Sequence, residues 1–239
     1  MRSYSLPSPK MRVFQYAMLS IALLSAGGFI NAADAAGVAL NGTRIIYPQG
    51  AREITVSTKN TDNKTAYLVQ SWASDEHGEK TSSFIVTPPL FVLKSGATNM
   101  LRITYTGSTL PEDKESVFYF NSKAIPSVDK KALAGNTLQI ATQTVVKLFY
   151  RPAHLTVKST DVPEMLRCQQ NHDAITVTNP SPYYATLVNF TVGGKKLPNT
   201  MVAPKASETI NFSAEASGPI VYQTLNDYGA LTPKQTCKA

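Results

Sequence analysis

Residues 136–152, NTLQIATQTVVKLFYRP, read as one long β-strand. Leu138, Ile140, Thr142, Thr144, Val146 and Leu148 recur at every second position. A strand places such residues on one face, about 7 Å apart. An ordinary strand has roughly 5–6 residues, so this one has a second half to offer elsewhere. That half carries only Gln139, Ala141 and Gln143 on its other face. Lys147 interrupts the apolar run near its end, and a charge within a buried strand requires a partner. An apolar row that ends in a cation is the pattern of a binding edge.

The rest of the chain repeats the strand signal at shorter range. Residues 38–47, 53–59, 66–74, 84–86, 99–105, 116–124 and 138–150 are rich in β-branched and aromatic side chains. Turn formers separate them, among them Pro48-Gln49-Gly50, Asp62-Asn63 and Ser95-Gly96. That number and spacing of strands predicts an immunoglobulin-like sandwich over 37–153. Trp72 has no flanking cysteines, which argues against the antibody type. After Arg151-Pro152-Ala153 the pattern restarts at 155–158, 174–178, 185–192, 209–212, 220–225 and 232–237, predicting a second β domain over 154–239. Pro152 lacks an N–H and holds Arg151 extended, which suits a chain turn between the two. The expected fold is all-β, with at most one helical turn at 162–167.

The N-terminus reads as a processing signal. Lys10 and Arg12 precede an apolar segment, and small residues at Ala32, Ala33, Ala35 and Ala36 follow it, as in a secretory signal peptide over 1–36. The polar preface makes Met11 an alternative start. No later segment is apolar enough for membrane insertion. Removing 1–36 lowers the formal charge from +7 to +5. No basic stripe interleaved with aromatics remains, so no nucleic-acid partner is expected. Export makes a disulfide between Cys168 and Cys237 the default reading, worth roughly 4 kcal/mol for a loop of that length.

Nothing in the chain assembles into a catalytic constellation. His77, His154 and His172 are far apart and lack metal-ligand spacing. No nucleophile motif or phosphate loop is present, so neither an enzyme nor a cofactor nor a metal is expected. The polar outliers are Arg44 and Lys147, cations inside strands. Together they suit a carboxylate, arginine through two parallel N–H bonds and lysine as a point charge. Two plainer outcomes stand beside this one: Lys147 reaching to water, and Arg44 pairing with an internal carboxylate.

Five segments together resemble the PapD-like periplasmic pilus chaperones, most closely the type 1 pilus kind. They are Gly42–Pro48, Ile85–Phe91, Lys123–Pro126, Lys147–Ala153 and Asn226–Pro233, in family order across essentially the whole chain after residue 36. The resemblance implies a boomerang of two immunoglobulin-like sandwiches with the working site in the cleft. It implies that Arg44 and Lys147 anchor the C-terminal carboxylate of a pilus subunit. Leu138, Ile140, Thr142 and Val146 would belong to a strand donated to that subunit, and Glu115, Arg151 and Asp227 to a charge triad that fixes the angle between domains. Thr142 stands where relatives often carry a larger aliphatic residue. The short stretch Lys130–Asn136 resembles the branch that serves rod-shaped pili.

The function expected is therefore a periplasmic, non-enzymatic chaperone. It binds pilin subunits by donor-strand complementation and delivers them to an outer-membrane usher. Its outward apolar row also allows self-association when free. The alternative is a secreted immunoglobulin-like adhesion or receptor module, which would use the sequons at Asn41, Asn63, Asn189 and Asn211 but gives Lys147 no role.

Overall fold

The structure is a computed structural model that describes residues 37–128, 138–212 and 217–238. The expected signal peptide and the stretch 130–136 lie outside these residues.

The first domain contains β1 (Val38–Leu40), β2 (Arg44–Pro48), β3 (Ile54–Asn60), β4 (Tyr67–Ser74), β5 (Phe84–Thr87), β6 (Leu90–Leu93), β7 (Thr98–Tyr105), β8 (Ser116–Pro126) and β9 (Thr142–Arg151). One sheet has the order β1-β3-β7-β5 and the other β2-β9-β8-β4-β6. Alternating residues from both sheets fill the space between them, with Leu101, Ile103, Phe120 and Leu148 fully buried. Aromatic rings line one end: Tyr47 meets Phe84 edge-on at 5.4 Å, and Phe84 meets Phe118 at 5.0 Å.

Two expectations are corrected here. Residues 38–47 form two strands in different sheets: β1 pairs with β3, and β2 runs parallel to β9. The break falls at Asn41-Gly42-Thr43, where the Asn41 side chain accepts from the Ser57 N–H and holds the chain as it crosses. The long strand also begins later than its alternation predicts. β9 starts at Thr142, opposite Ala124 of β8, so Leu138–Ala141 precede the ladder.

The second domain holds a 3-10 turn (Ser159–Asp161) running into a helical turn α1 (Val162–Met165), then β10 (Arg167–Gln170), β11 (Ala174–Asn179), β12 (Ala185–Val192), β13 (Lys195–Lys196), β14 (Thr200–Val202), β15 (Ala206–Asn211), β16 (Ile220–Thr224) and β17 (Gln235–Thr236). Its sheets are β10-β11-β15 and β13-β12-β16-β17, with β14 also on β12. No strand forms at 155–158. Leu155 and Val157 instead pack on the second core from an irregular connection. Tyr222 is buried in that core and donates to the Pro163 carbonyl at 2.6 Å; burial pushes its hydroxyl pKa up to about 12. The Cys168–Cys237 disulfide ties β10 in one sheet to the residue after β17 in the other.

Candidate functional site: an open strand edge beside two cations

β9 has two neighbours along only part of its length. β8 pairs with it from Thr142 to Tyr150. On its other side β2 pairs only from Lys147 to Arg151, with Arg44 opposite Lys147. β2 is the last strand of that sheet, so among the described residues no strand covers the outer edge of residues 142–146. The N–H and C=O groups on that edge form a template for one more strand.

Side chains along β9 divide by face. Val146, Leu148 and Tyr150 point into the first core. Thr142 and Thr144, on the same face, lie beyond the core and are exposed. Ahead of them Leu138 and Ile140 are 84% and 66% exposed. The same boundary divides the residues expected in the donated strand. Val146 is 8% exposed and fills its own domain's core, because the opposite sheet still covers the strand there. On the other face stand Val145, Lys147, Phe149 and Arg151; of these Phe149 meets the ring of Tyr184 in the second domain at 5.4 Å and Arg151 reaches Asp227 there.

At the point where the open edge begins, the sheet places Lys147 and Arg44 on neighbouring strands, about 4.8 Å apart. Neither residue has an internal carboxylate partner among the described residues. The Arg44 Nη1 donates to the Leu225 carbonyl of the second domain at 3.1 Å, and its guanidinium lies 5.9 Å from the Phe149 ring. Its Nε is buried without an acceptor. Burial holds the Arg44 pKa below its ordinary value, partly offset by the charges of Asp227 and Glu115. Burial also depresses Lys147, and the adjacent Arg44 charge adds to the effect. Two half-buried cations side by side, the arginine depressing the lysine, have the chemistry to suit an anion.

The structure also brings Glu115, Arg151 and Asp227 together. The Arg151 Nε donates to Glu115 Oε1 at 2.8 Å, and its Nη1 and Nη2 donate to the two oxygens of Asp227, each at 2.7 Å. The Tyr184 N–H donates to Glu115 Oε2 at 2.9 Å, and Ser159 Oγ to Asp227 at 3.0 Å. Tyr183 lies under the guanidinium, 4.9 Å away. Burial raises the Glu115 pKa against the pull of Arg151. The Arg151 hydrogen bond depresses Asp227. Burial opposes the Arg151 charge, but its carboxylate partners outweigh it and push its pKa up. This latch and Arg44 border one cleft of about 340 Å³ between the domains. Sequence patterns gave no sign of Tyr183, Tyr184, Ser159 or the Leu225 carbonyl: none carries a charge, and all come from the other domain.

The chain belongs to the PapD family of pilus assembly chaperones. Residues 37–156 match the family described as "Pili and flagellar-assembly chaperone, PapD N-terminal domain", and residues 161–236 match "Pili assembly chaperone PapD, C-terminal domain". It is 45% identical over 202 residues to the chaperone protein FimC of Escherichia coli, covering 84% of each chain. It is 46% identical over 200 residues to the probable fimbrial chaperone SfmC of the same species, covering 83% of this chain and 87% of SfmC. Among solved structures, the periplasmic chaperone SfaE superposes with a TM-score of 0.76 at 40% identity, over 85% of this chain and all of that one. A Salmonella enterica structure, the SafA pilin in complex with the SafB chaperone, superposes with a TM-score of 0.78 at 31% identity, over 85% of this chain and 96% of that one. The protein is a two-domain, nearly all-β chaperone for pilus assembly.

Proposed function

We propose that the protein works in the periplasm, holding pilin subunits by donor-strand complementation and passing them to an outer-membrane usher. The observation that carries this reading is that β2 begins only at Arg44, which leaves open the edge of β9 ahead of the two cations. A client strand added to that edge with its carboxylate on Arg44 and Lys147 runs back along residues 146 to 142. It is therefore parallel to β9 and continues the line of β2. Leu138, Ile140 and Thr142 then reach into a client that lacks a strand of its own. Burying Leu138 and Ile140 is worth about 1.5–3 kcal/mol each, and Thr142 gives less. Capping the client edge keeps it from pairing with other chains. The pilin bound to SafB, a relative by fold and sequence, supports this choice of client. The triad of Glu115, Arg151 and Asp227 sets the angle of the cleft.

The test is co-expression with a pilin. Arg44→Ala and Lys147→Ala proteins should accumulate folded in the periplasm yet leave the pilin open to proteolysis. Protection at the wild-type level by either variant overturns the anchor.

A further inference from the structure

The loop that follows β16 is held more firmly than a surface turn requires. The Asn226 Oδ1 accepts from the Tyr228 and Ala230 N–H groups at 3.0 and 2.9 Å. The Arg151 fork and Ser159 fix the carboxylate of Asp227. Gly229 has φ of +79°, and a Cβ there would lie 2.1 Å from Thr43 Oγ1 in the first domain. The loop is therefore pinned from both domains, yet the side chain at its tip, Tyr228, is 91% exposed, and Leu231 is 54% exposed.

Tyr228 also occupies a particular place. It lines the interdomain cleft and a second cavity of about 250 Å³, and Arg44 and Ile46 line both as well. Leu40, Ile45 and Val146 give the second cavity apolar walls, and Phe149 and Leu231 do the same for the cleft. A rigidly presented tyrosine beside a charged anchor offers apolar contact area with few rotamers to freeze.

We propose that Tyr228, backed by Leu231, is the residue by which the second domain selects clients, its ring closing on the side chain of the client's C-terminal residue and favouring a large apolar or aromatic one. This rests on the anchor at Arg44 and Lys147. The backbone alternation of β9 sets where the client lies, and Tyr228 reads what stands at its end.

The experiment measures binding of nine-residue peptides with alternating apolar side chains to the full mature protein, by fluorescence anisotropy. The peptides end in Phe or Ala with a free carboxylate, or in Phe amide. Wild type should bind the Phe-ended acid about tenfold more tightly than the Ala-ended one, the discrimination of one well-packed aromatic contact. Tyr228→Ala should abolish that ratio, the Phe-ended peptide losing far more affinity than the Ala-ended one, and Tyr228→Phe should retain it. A ratio that survives in Tyr228→Ala, or an equal loss for both peptides, overturns the proposal. The amide reports separately on the anchor: it should bind weakly to every variant. Tight binding of the amide, or no binding of any acid at millimolar concentration, sinks the anchor and the selection together.

Discussion

Lys147 works against the stability of the free protein. Burial and the neighbouring Arg44 hold its pKa below the unfolded value, so its protonated form penalises the fold. The penalty is complete below the folded pKa and disappears as pH rises toward the unfolded value, near 10.4. Lys147→Met should raise Tm by about 2–4 °C, the response to roughly 1 kcal/mol in a chain of this size. It should also flatten the rise of stability with alkaline pH and abolish client binding. A lower Tm in this variant, read by circular dichroism, would mean that the ammonium has an internal partner. The sequence made Lys147 legible as an anomaly, since a cation within VVKLF demands an explanation. It gave no comparable warning of Asn60 and Asn179. Both are fully buried, each donating to backbone carbonyls that close a bend, such as Thr65 for one and Tyr183 for the other. Asparagine in a turn formula looks the same whether it is solvated or buried.

Among the elements, β9 carries both the success and the limits of pattern reading. Alternation found the strand and its offered face. It could not locate the point where that face passes from the protein's own core to open solvent, because that depends on how far the opposite sheet extends. Ile140 and Val146 mark the two sides of the transition. Ile140→Asp should leave Tm within about a degree of wild type and weaken the pilin complex. Val146→Asp buries an unpaired carboxylate and should cost several kcal/mol, in the range of severe core substitutions. Equal thermal melts for the two variants would remove the boundary drawn here. Strands β6 and β10, of four residues each, escaped the sequence reading. β6 adjoins two prolines and β10 is polar. The false strand at 155–158 shows the opposite failure: Leu155 and Val157 alternate, but they cover a core without pairing.

At the scale of the whole molecule, three charges from the two domains are hydrogen-bonded together. Arg151→Ala strands Glu115, whose side chain is 2% exposed, and should cost about 3–5 kcal/mol, the penalty of leaving a buried charge unpaired. The urea midpoint reads it, and adding Glu115→Gln should recover most of the loss. Asp227 has its pKa depressed by Arg151. Its contribution is present above the unfolded value, about 3.9, and is lost as pH falls through the folded one. Asp227→Asn should therefore flatten the acid limb of stability below about pH 4; an unchanged limb would assign acid sensitivity to other groups. The two-domain plan was legible from the restart of the strand pattern after Pro152. The latch was legible only through the family resemblance, since its members are separated by 36 and 76 positions. The start of β2 at Arg44 has a further consequence under the proposed anchor: a client's own last residue would be the origin from which all its other positions are counted. Adding one residue there exchanges inward and outward side chains along the whole segment. Adding two restores parity but displaces every contact by about 7 Å. A tag fused to a pilin's C-terminus should thus abolish its capture, while the same tag at the other end leaves it intact.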